Sequence, residues 1–401
     1  MSGALSWPFF RLYALSLLYF SANAILNVII PLKGDSLGAT NTTIGIIMGA
    51  YLFTTMFFRP WAGRVIQKHG PTKVLRFILL INGAALILYA FSGLEGYFIA
   101  RILQGVCTAF FSMTLQLGII DALPDEERSQ GISMYSLSSY LPAIFGPLLA
   151  LGIWRSGDMD IFAVVMIALA IFTGVVGYSA KIENKPTESA PNNASQGLAM
   201  WSSLGQLIKN PYLYKSSVLM LMASIVFGAV LTFVPLYADA IENGDAGYFL
   251  MLQAATVVLV RFALKARIPS DGRWRSPYMM SIMFILAVGV QSISYSVIGG
   301  TLFFYVGAFL IGISQGLLYP TLTTYLSFVL SKSERNVLIG LFIATADFGI
   351  VLGGVIMGPI ADIFSYSFMY TVCAVLGIAT VLFAYDYRKI LIEIKSEVKS
   401  D

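Results

Sequence analysis

The sequence has little of what most chemistry at a protein surface requires. Only 11% of its 401 residues are charged, against about 25% in an ordinary soluble domain. It has a single histidine, His69, and two cysteines, Cys107 and Cys373. Two cysteines inside apolar stretches build no disulfide framework, and no His, Cys, Asp or Glu spacing of the kind that holds a metal or pairs an acid with a base occurs. A glycine–lysine loop able to cradle a nucleotide phosphate is also missing, which argues against an ATP-driven machine. An enzyme, a resident cofactor, a metal site and a nucleic-acid partner are therefore not expected.

Apolar sequence is abundant, at 57% of the chain. About 20 apolar residues in a helix cross the ~30 Å hydrocarbon core of a bilayer. Twelve such stretches are legible, at 9–30, 43–58, 74–92, 97–122, 131–153, 161–180, 216–236, 248–264, 278–298, 301–330, 338–360 and 368–387. They predict an all-α integral membrane protein with twelve transmembrane helices. The first stretch is long enough to anchor itself, so no removable leader is expected.

The scarce charge is unevenly placed. "FRPWAGRVIQKHGPTKVLRF" gathers Arg59, Arg64, Lys68, Lys73 and Arg76 between the second and third stretches. The other even-numbered connections carry Arg128, then Lys181, Lys185, Lys209 and Lys215, then Lys265, Arg267, Arg273 and Arg275, then Lys332 and Arg335, while the odd ones carry only Lys33 and Arg155. Basic residues flanking short loops stay in the cytoplasm, so even connections and both termini are expected on the cytoplasmic side of a cell membrane.

The chain also repeats itself. Pro31-Leu32 echoes Pro235-Leu236; Arg59, Gly70 and Lys73 precede Arg261, Gly272 and Arg275 by 202 positions each; Glu127-Arg128 precedes Glu334-Arg335 by 207. Two six-helix halves follow, over 1–180 and 213–388, with a cytoplasmic linker over 181–212 and a cytoplasmic tail over 389–401. The linker opens with the polar "KIENKPTESAPNNASQG", and "WSSLGQLIKN" after it fits a short amphipathic surface helix or a plain turn.

Six plus six spans, a long central loop and a basic connection after span two together resemble the major facilitator superfamily, over essentially the whole chain. The resemblance implies two pseudo-symmetric six-helix bundles and secondary active transport by alternating access, by a functional monomer in a lipid bilayer, with a small molecule and protons as partners. Three motifs carry it. Gly63-Arg64-Val65-Ile66-Gln67-Lys68-His69-Gly70-Pro71-Thr72-Lys73 is similar to the family's gating loop, with Gln67 where an aspartate is usual. It implies gating roles for Arg59, Gly63, Arg64, Gly70 and Lys73, with Asp271 and Arg273 as counterparts; topology alone would also explain the charge. Arg101-Ile102-Leu103-Gln104-Gly105 resembles the motif whose arginine assists proton coupling; snorkelling to the headgroups is the alternative. Gly146-Pro147 resembles the span-five element of the family's antiporters, which favours export over uptake and adds a hinge to the gating set.

The binding site of such a carrier lies near the midplane between the halves. Polar candidates there are Asn23 and Asn27, four apart on one helix face, with Tyr51, Gln104, Gln116, Tyr135, Tyr140, Gln253, Gln315 and Tyr319. For each, a plain interhelical hydrogen bond, worth about 0.6 kcal/mol on average, competes with ligand contact. Arg101 and Asp347 supply both charge signs for a zwitterion, and Asp347, the most deeply placed carboxylate, is the candidate proton carrier. Around "IPLKGDSLGA" and "RIPSDGRWR" the chain is similar to bacterial exporters of opine-type metallophores. A multidrug/proton antiporter and a proton-coupled nutrient importer remain the alternatives.

Overall fold

The computed structural model describes residues 3–180, 204–264, 267–269, 271–331 and 334–385; residues 181–203 of the expected linker over 181–212, and the expected tail over 389–401, lie outside them. Twelve helices are long and apolar enough to cross a membrane. They are α1 (Trp7–Ser36), α2 (Asn41–His69), α3 (Pro71–Phe91), α4 (Leu94–Ala122), α5 in two pieces (Asp125–Tyr140 and Pro142–Arg155) and α6 (Met159–Ser179), then α7 (Pro211–Tyr237), α8 (Ala246–Ala263), α9 (Ser276–Gly299), α10 (Thr301–Val329), α11 (Arg335–Ile363) and α12 (Tyr366–Ala384). A single turn, Gln206–Lys209, precedes α7. No strand occurs among the described residues, as expected where lipid offers no partner to an open sheet edge.

Local chemistry sets the helix ends. Thr40, Asn210 and Asp245 accept from the first free amides of α2, α7 and α8. Pro142 divides α5, yet Leu141 before it keeps helical dihedrals (φ −51°, ψ −40°), so the pieces continue as one bent span.

The basic patch is not the loop that hydropathy implies. The apolar run stops at Phe58, but Arg, Lys and Gln are good helix formers, and α2 continues through Arg59, Gly63 and Arg64 to His69. The chain turns only at Gly70, at φ +82°, a conformation suited to glycine, and Pro71 opens α3. Gly63 is thus a buried helical residue rather than part of a tight turn.

Packing repeats with a period of six helices. In the first half α1 packs on α5 and α6, and α3 on α4 and α6; α2 lies along α4. In the second half α7 packs on α11 and α12, and α9 on α10 and α12; α8 lies along α10. The halves meet along two seams, α2 with α11 and α5 with α8, and where α1 touches α7. α7 is buried along most of its length, whereas α6 turns Val164, Ile171, Phe172 and Val175 outward, a face suited to hydrocarbon.

Both seams are fastened at the end that carries the odd-numbered connections. Asp362 of α11 accepts from the backbone amides of Asn41 (2.8 Å) and Thr42 (2.9 Å) and from the Thr42 hydroxyl (2.6 Å), opposite the positive end of α2. At the other seam Arg155 pairs with Asp245 at 2.8 Å, the residue that caps α8. Arg155 and Asp362 are 207 positions apart, the repeat spacing found in the sequence. Asp362→Ala is expected to loosen this end. The site is exposed, so the loss is about 1 kcal/mol, a several-fold population shift towards an opened end. Pulsed EPR distances between labels on the α2 and α11 termini measure it; an unchanged distribution refutes the latch.

Candidate functional site

Between the fastened end and the basic end lies a cavity of about 180 Å³, lined by α1, α5, α7, α8 and α10. Its polar wall is Asn23, Asn27, Ser139, Tyr140, Gln253 and Gln315; Phe20, Val28, Leu231 and Leu250 supply apolar surface. A lobe of about 90 Å³ on the other side of α1 shares Asn23 and Asn27 and adds Met48, Tyr51 and Thr232. The cavity walls thus combine Asn23, Asn27, Tyr51, Tyr140, Gln253 and Gln315 from the sequence candidates, and Pro147 from the gating set.

Arg101 stands behind the asparagines. Its side chain is fully buried, donating to Asn23 Oδ1 at 2.7 Å, Asn27 Oδ1 at 2.8 Å and Met48 Sδ at 3.2 Å, with the Tyr51 ring 5.3 Å away. Snorkelling is excluded by this geometry. An arginine can only donate, so both asparagines must turn their oxygens to it and their NH₂ groups elsewhere. The helical spacing that puts Asn23 and Asn27 on one face therefore converts a buried cation into two fixed amide donors at the cavity wall. Gln253 donates to Gln315 at 3.0 Å, leaving the Gln315 NH₂ as a further donor.

Asp347 has the partner its depth requires, and it is not Arg101. Arg59, read in the sequence as part of a gating loop, reaches across the α2–α11 seam and meets Asp347 at 2.8 Å, with side-chain exposures of 33% and 17%. Tyr51 is an electrostatic neighbour of Arg101 and of this pair, and Tyr319 of this pair and of Arg261. The corresponding residues of the other seam also touch: Arg261 of α8 lies 5.3 Å over the Tyr140 ring of α5. Arg59 and Arg261 are 202 apart, and Tyr140 and Asp347 are 207 apart. Each seam thus carries an arginine at the same level, facing a carboxylate in one and an aromatic ring in the other. The repeat spacings relate the two pairs to each other, but no pattern in the sequence brings either pair together.

Other candidates sit apart from the cavity walls. Gln104 is fully buried and accepts from the Tyr89 hydroxyl at 3.2 Å, tying α4 to α3. Tyr135 is buried within reach of Ser112, Gln116 and Ser139, while Gln116 is exposed nearer the basic end. Among the gating residues, Gly146 packs against Ala24, where a Cβ would come within 2.4 Å. Its repeat partner Gly353 packs on the Ile225 carbonyl of α7. Arg64 is half-buried on α2 and Lys73 exposed on α3. Asp271 accepts from Arg275 at 2.8 Å and from the Arg273 amide, and the Arg275 guanidinium holds its carboxyl below the usual range. These are contacts within one connection rather than across the halves.

Comparison with known proteins agrees with this architecture. The sequence profile of the Major Facilitator Superfamily matches residues 12–288 and 269–395. The chain is 52% identical over 385 residues to the staphylopine export protein of Staphylococcus aureus, covering 96% of this chain and 97% of that one. It is 21% identical over 342 residues to multidrug resistance protein 2 of Bacillus subtilis, covering 82% and 83%. Among solved structures, the nucleoside transporter NupG superposes with a TM-score of 0.74 at 14% identity, over 95% of this chain and all of that one. With its twelve helices, its mirrored seams and its midplane cavity, the chain belongs to the Major Facilitator Superfamily of transporters.

Proposed function

We propose that this transporter exports a small zwitterionic molecule of the opine-metallophore type from the cytoplasm of a bacterium in exchange for protons, working by alternating access. The observation that carries the reading is the buried Arg101 turning the Asn23 and Asn27 amide donors towards the cavity. Carboxylate oxygens are the acceptors such donors suit, and the positive field behind them favours an anionic group. The likeness to the staphylopine export protein supports the same class of cargo. Among the described residues, Phe20 and Tyr140 are the aromatics that line the larger lobe, too few for a site that stacks flat drugs.

With the basic connections placed in the cytoplasm, the fastened end is the outer one and the cavity faces inward. Cargo then enters from the cytoplasm. Cargo binding to this state, with Asp347 charged and paired, lets the halves rock and the outer latches part. Once the cargo has left, Asp347 takes a proton from outside, carries it through the return and gives it up to the cytoplasm as its pair with Arg59 re-forms. The protein acts as a monomer, both termini cytoplasmic.

The test is a strain lacking the transporter, complemented or not, grown in metal-poor medium, with opines in medium and cells quantified by mass spectrometry. Cargo retained in the cells and restored to the medium by complementation supports the reading; equal secretion by both strains removes it.

Arg101 has its own prediction. Lysine keeps the charge but cannot hold two asparagine oxygens with one planar fork. Losing one charge-assisted hydrogen bond, at about 1.5–3 kcal/mol, should raise the apparent KM of Arg101→Lys roughly ten- to a hundred-fold, and Arg101→Ala should not transport. Kinetics in proteoliposomes, with size-exclusion profiles as the folding control, check this; wild-type export by Arg101→Ala refutes it.

A further inference from the structure

Charge around the cavity does not balance. Three guanidiniums meet this region, those of Arg59, Arg101 and Arg261, and among the described side chains the carboxylate set with them is Asp347. Arg59 already takes Asp347 at 2.8 Å. Arg101 is held by two neutral amides and a thioether. Arg261 has the Tyr140 ring at 5.3 Å and a buried Nε without a hydrogen-bond partner. None of the ion pairs seen among the described residues includes it.

Cations within a membrane are expensive unless paired, and those left unpaired mark the path of a substrate. The mirrored seam shows what is missing: where Arg59 has a carboxylate from α11, Arg261 has only an aromatic ring from α5. That ring lines the same cavity as Asn23, Asn27 and Gln253, which places Arg261 one side chain behind the cavity wall, within reach of an anion that moves the ring aside.

We propose that Arg261 is a cargo-binding, specificity-determining residue that receives a second carboxylate of the transported molecule, the first lying against the Asn23 and Asn27 amides. The proposal rests on the export of a carboxylate-bearing cargo argued above. It narrows the cargo to molecules with at least two carboxylates spaced to reach from α1 to α8, which an opine provides through two acid-bearing units joined by a secondary amine.

The experiment uses purified wild type, Arg261→Gln and Arg261→Lys in proteoliposomes, with three labelled probes: a synthetic dicarboxylate opine and each of its two monoamides. In the wild type, one monoamide should show a KM raised about tenfold or more, the loss of one charge-assisted hydrogen bond. Arg261→Gln should raise the KM of the parent opine by a similar factor and erase its advantage over that monoamide, with kcat little changed. Arg261→Lys should keep part of the discrimination, and it carries the test if the glutamine variant does not fold. Unaltered discrimination in the variant that folds overturns the proposal and leaves Arg261 a surface-seeking cation. If the wild type moves no opine, the export reading has failed by itself. Arg261 is then judged by thermal unfolding with millimolar glutarate: stabilisation of wild type but not of Arg261→Gln upholds the site, and equal curves overturn it.

Discussion

Asp347→Asn is expected to reduce pH-driven export to background while leaving cargo binding within a few-fold of wild type. Asp347 lies within a membrane-crossing helix, where a charged aspartate costs about 2.5–3.5 kcal/mol at the centre. It is retained as a pair with Arg59 across the α2–α11 seam, at 2.8 Å. Removing one partner of a fully buried pair costs about 3–5 kcal/mol, but Arg59 is one-third exposed and part of that penalty is screened. Asparagine keeps the shape and one oxygen for Arg59, so the fold and the seam should survive. What it cannot do is take up and release a proton. Under exchange the proton taken up by Asp347 outside and given up inside ties the return of the carrier to the pH difference; a side chain that cannot titrate carries no proton, so cargo movement is no longer tied to that difference. Exchange of cargo across the vesicle without a gradient should therefore persist, while net movement driven by an imposed pH difference should vanish. Binding by calorimetry and flux in proteoliposomes separate the two. Normal pH-driven movement in Asp347→Asn would place the proton elsewhere.

Much of the architecture is legible in the sequence because it follows from local properties. Twelve apolar runs are read from composition within each window, and each corresponds to a helix. Apolarity and helix length part company in α2, which continues eleven residues past Phe58, to His69, because helix propensity does not end where grease does. The site was half legible. Asn23 and Asn27 share a face by their spacing, and the cavity wall includes both. Gln104, which accepts from Tyr89, is indistinguishable in sequence from a ligand group, since an amide facing a neighbouring helix and one facing a cavity have the same one-dimensional pattern. The cross-seam partners are 288 positions apart for Arg59 and Asp347, and 121 for Tyr140 and Arg261. No local signal carries them; the internal repeat aligns Arg59 with Arg261 and Asp347 with Tyr140, so it relates one pair to the other, but only the fold brings either together.

Gly45→Val should stop transport by preventing closure of the latched end, whereas the same change four residues on should be tolerated. At Gly45 the α2–α11 seam leaves no room for a side chain: a Cβ would stand 2.1 Å from the Gly354 carbonyl oxygen and 2.6 Å from its carbon. Both are backbone atoms of a rigid helix, so the only relief is for the helices to separate. At Gly49 the nearest atom is a Val351 side-chain carbon at 3.2 Å, which a rotamer change can move aside. Overpacking that side chains can absorb costs about 1–3 kcal/mol, whereas a clash with backbone exceeds this and falls on the closed state alone. At about 1.4 kcal/mol per tenfold, a penalty near 3 kcal/mol reduces the closed-end population about a hundredfold, enough to trap the cavity open towards that end. Valine adds apolar surface and keeps α2 able to insert, so expression should not fall. Thiol labelling of a cysteine placed in the cavity reads the outcome: Gly45→Val should label rapidly from the latched side and Gly49→Val at close to the wild-type rate, with transport lost only in the first. Equal labelling and transport in the two variants would mean that this seam does not have to close for the cycle to turn.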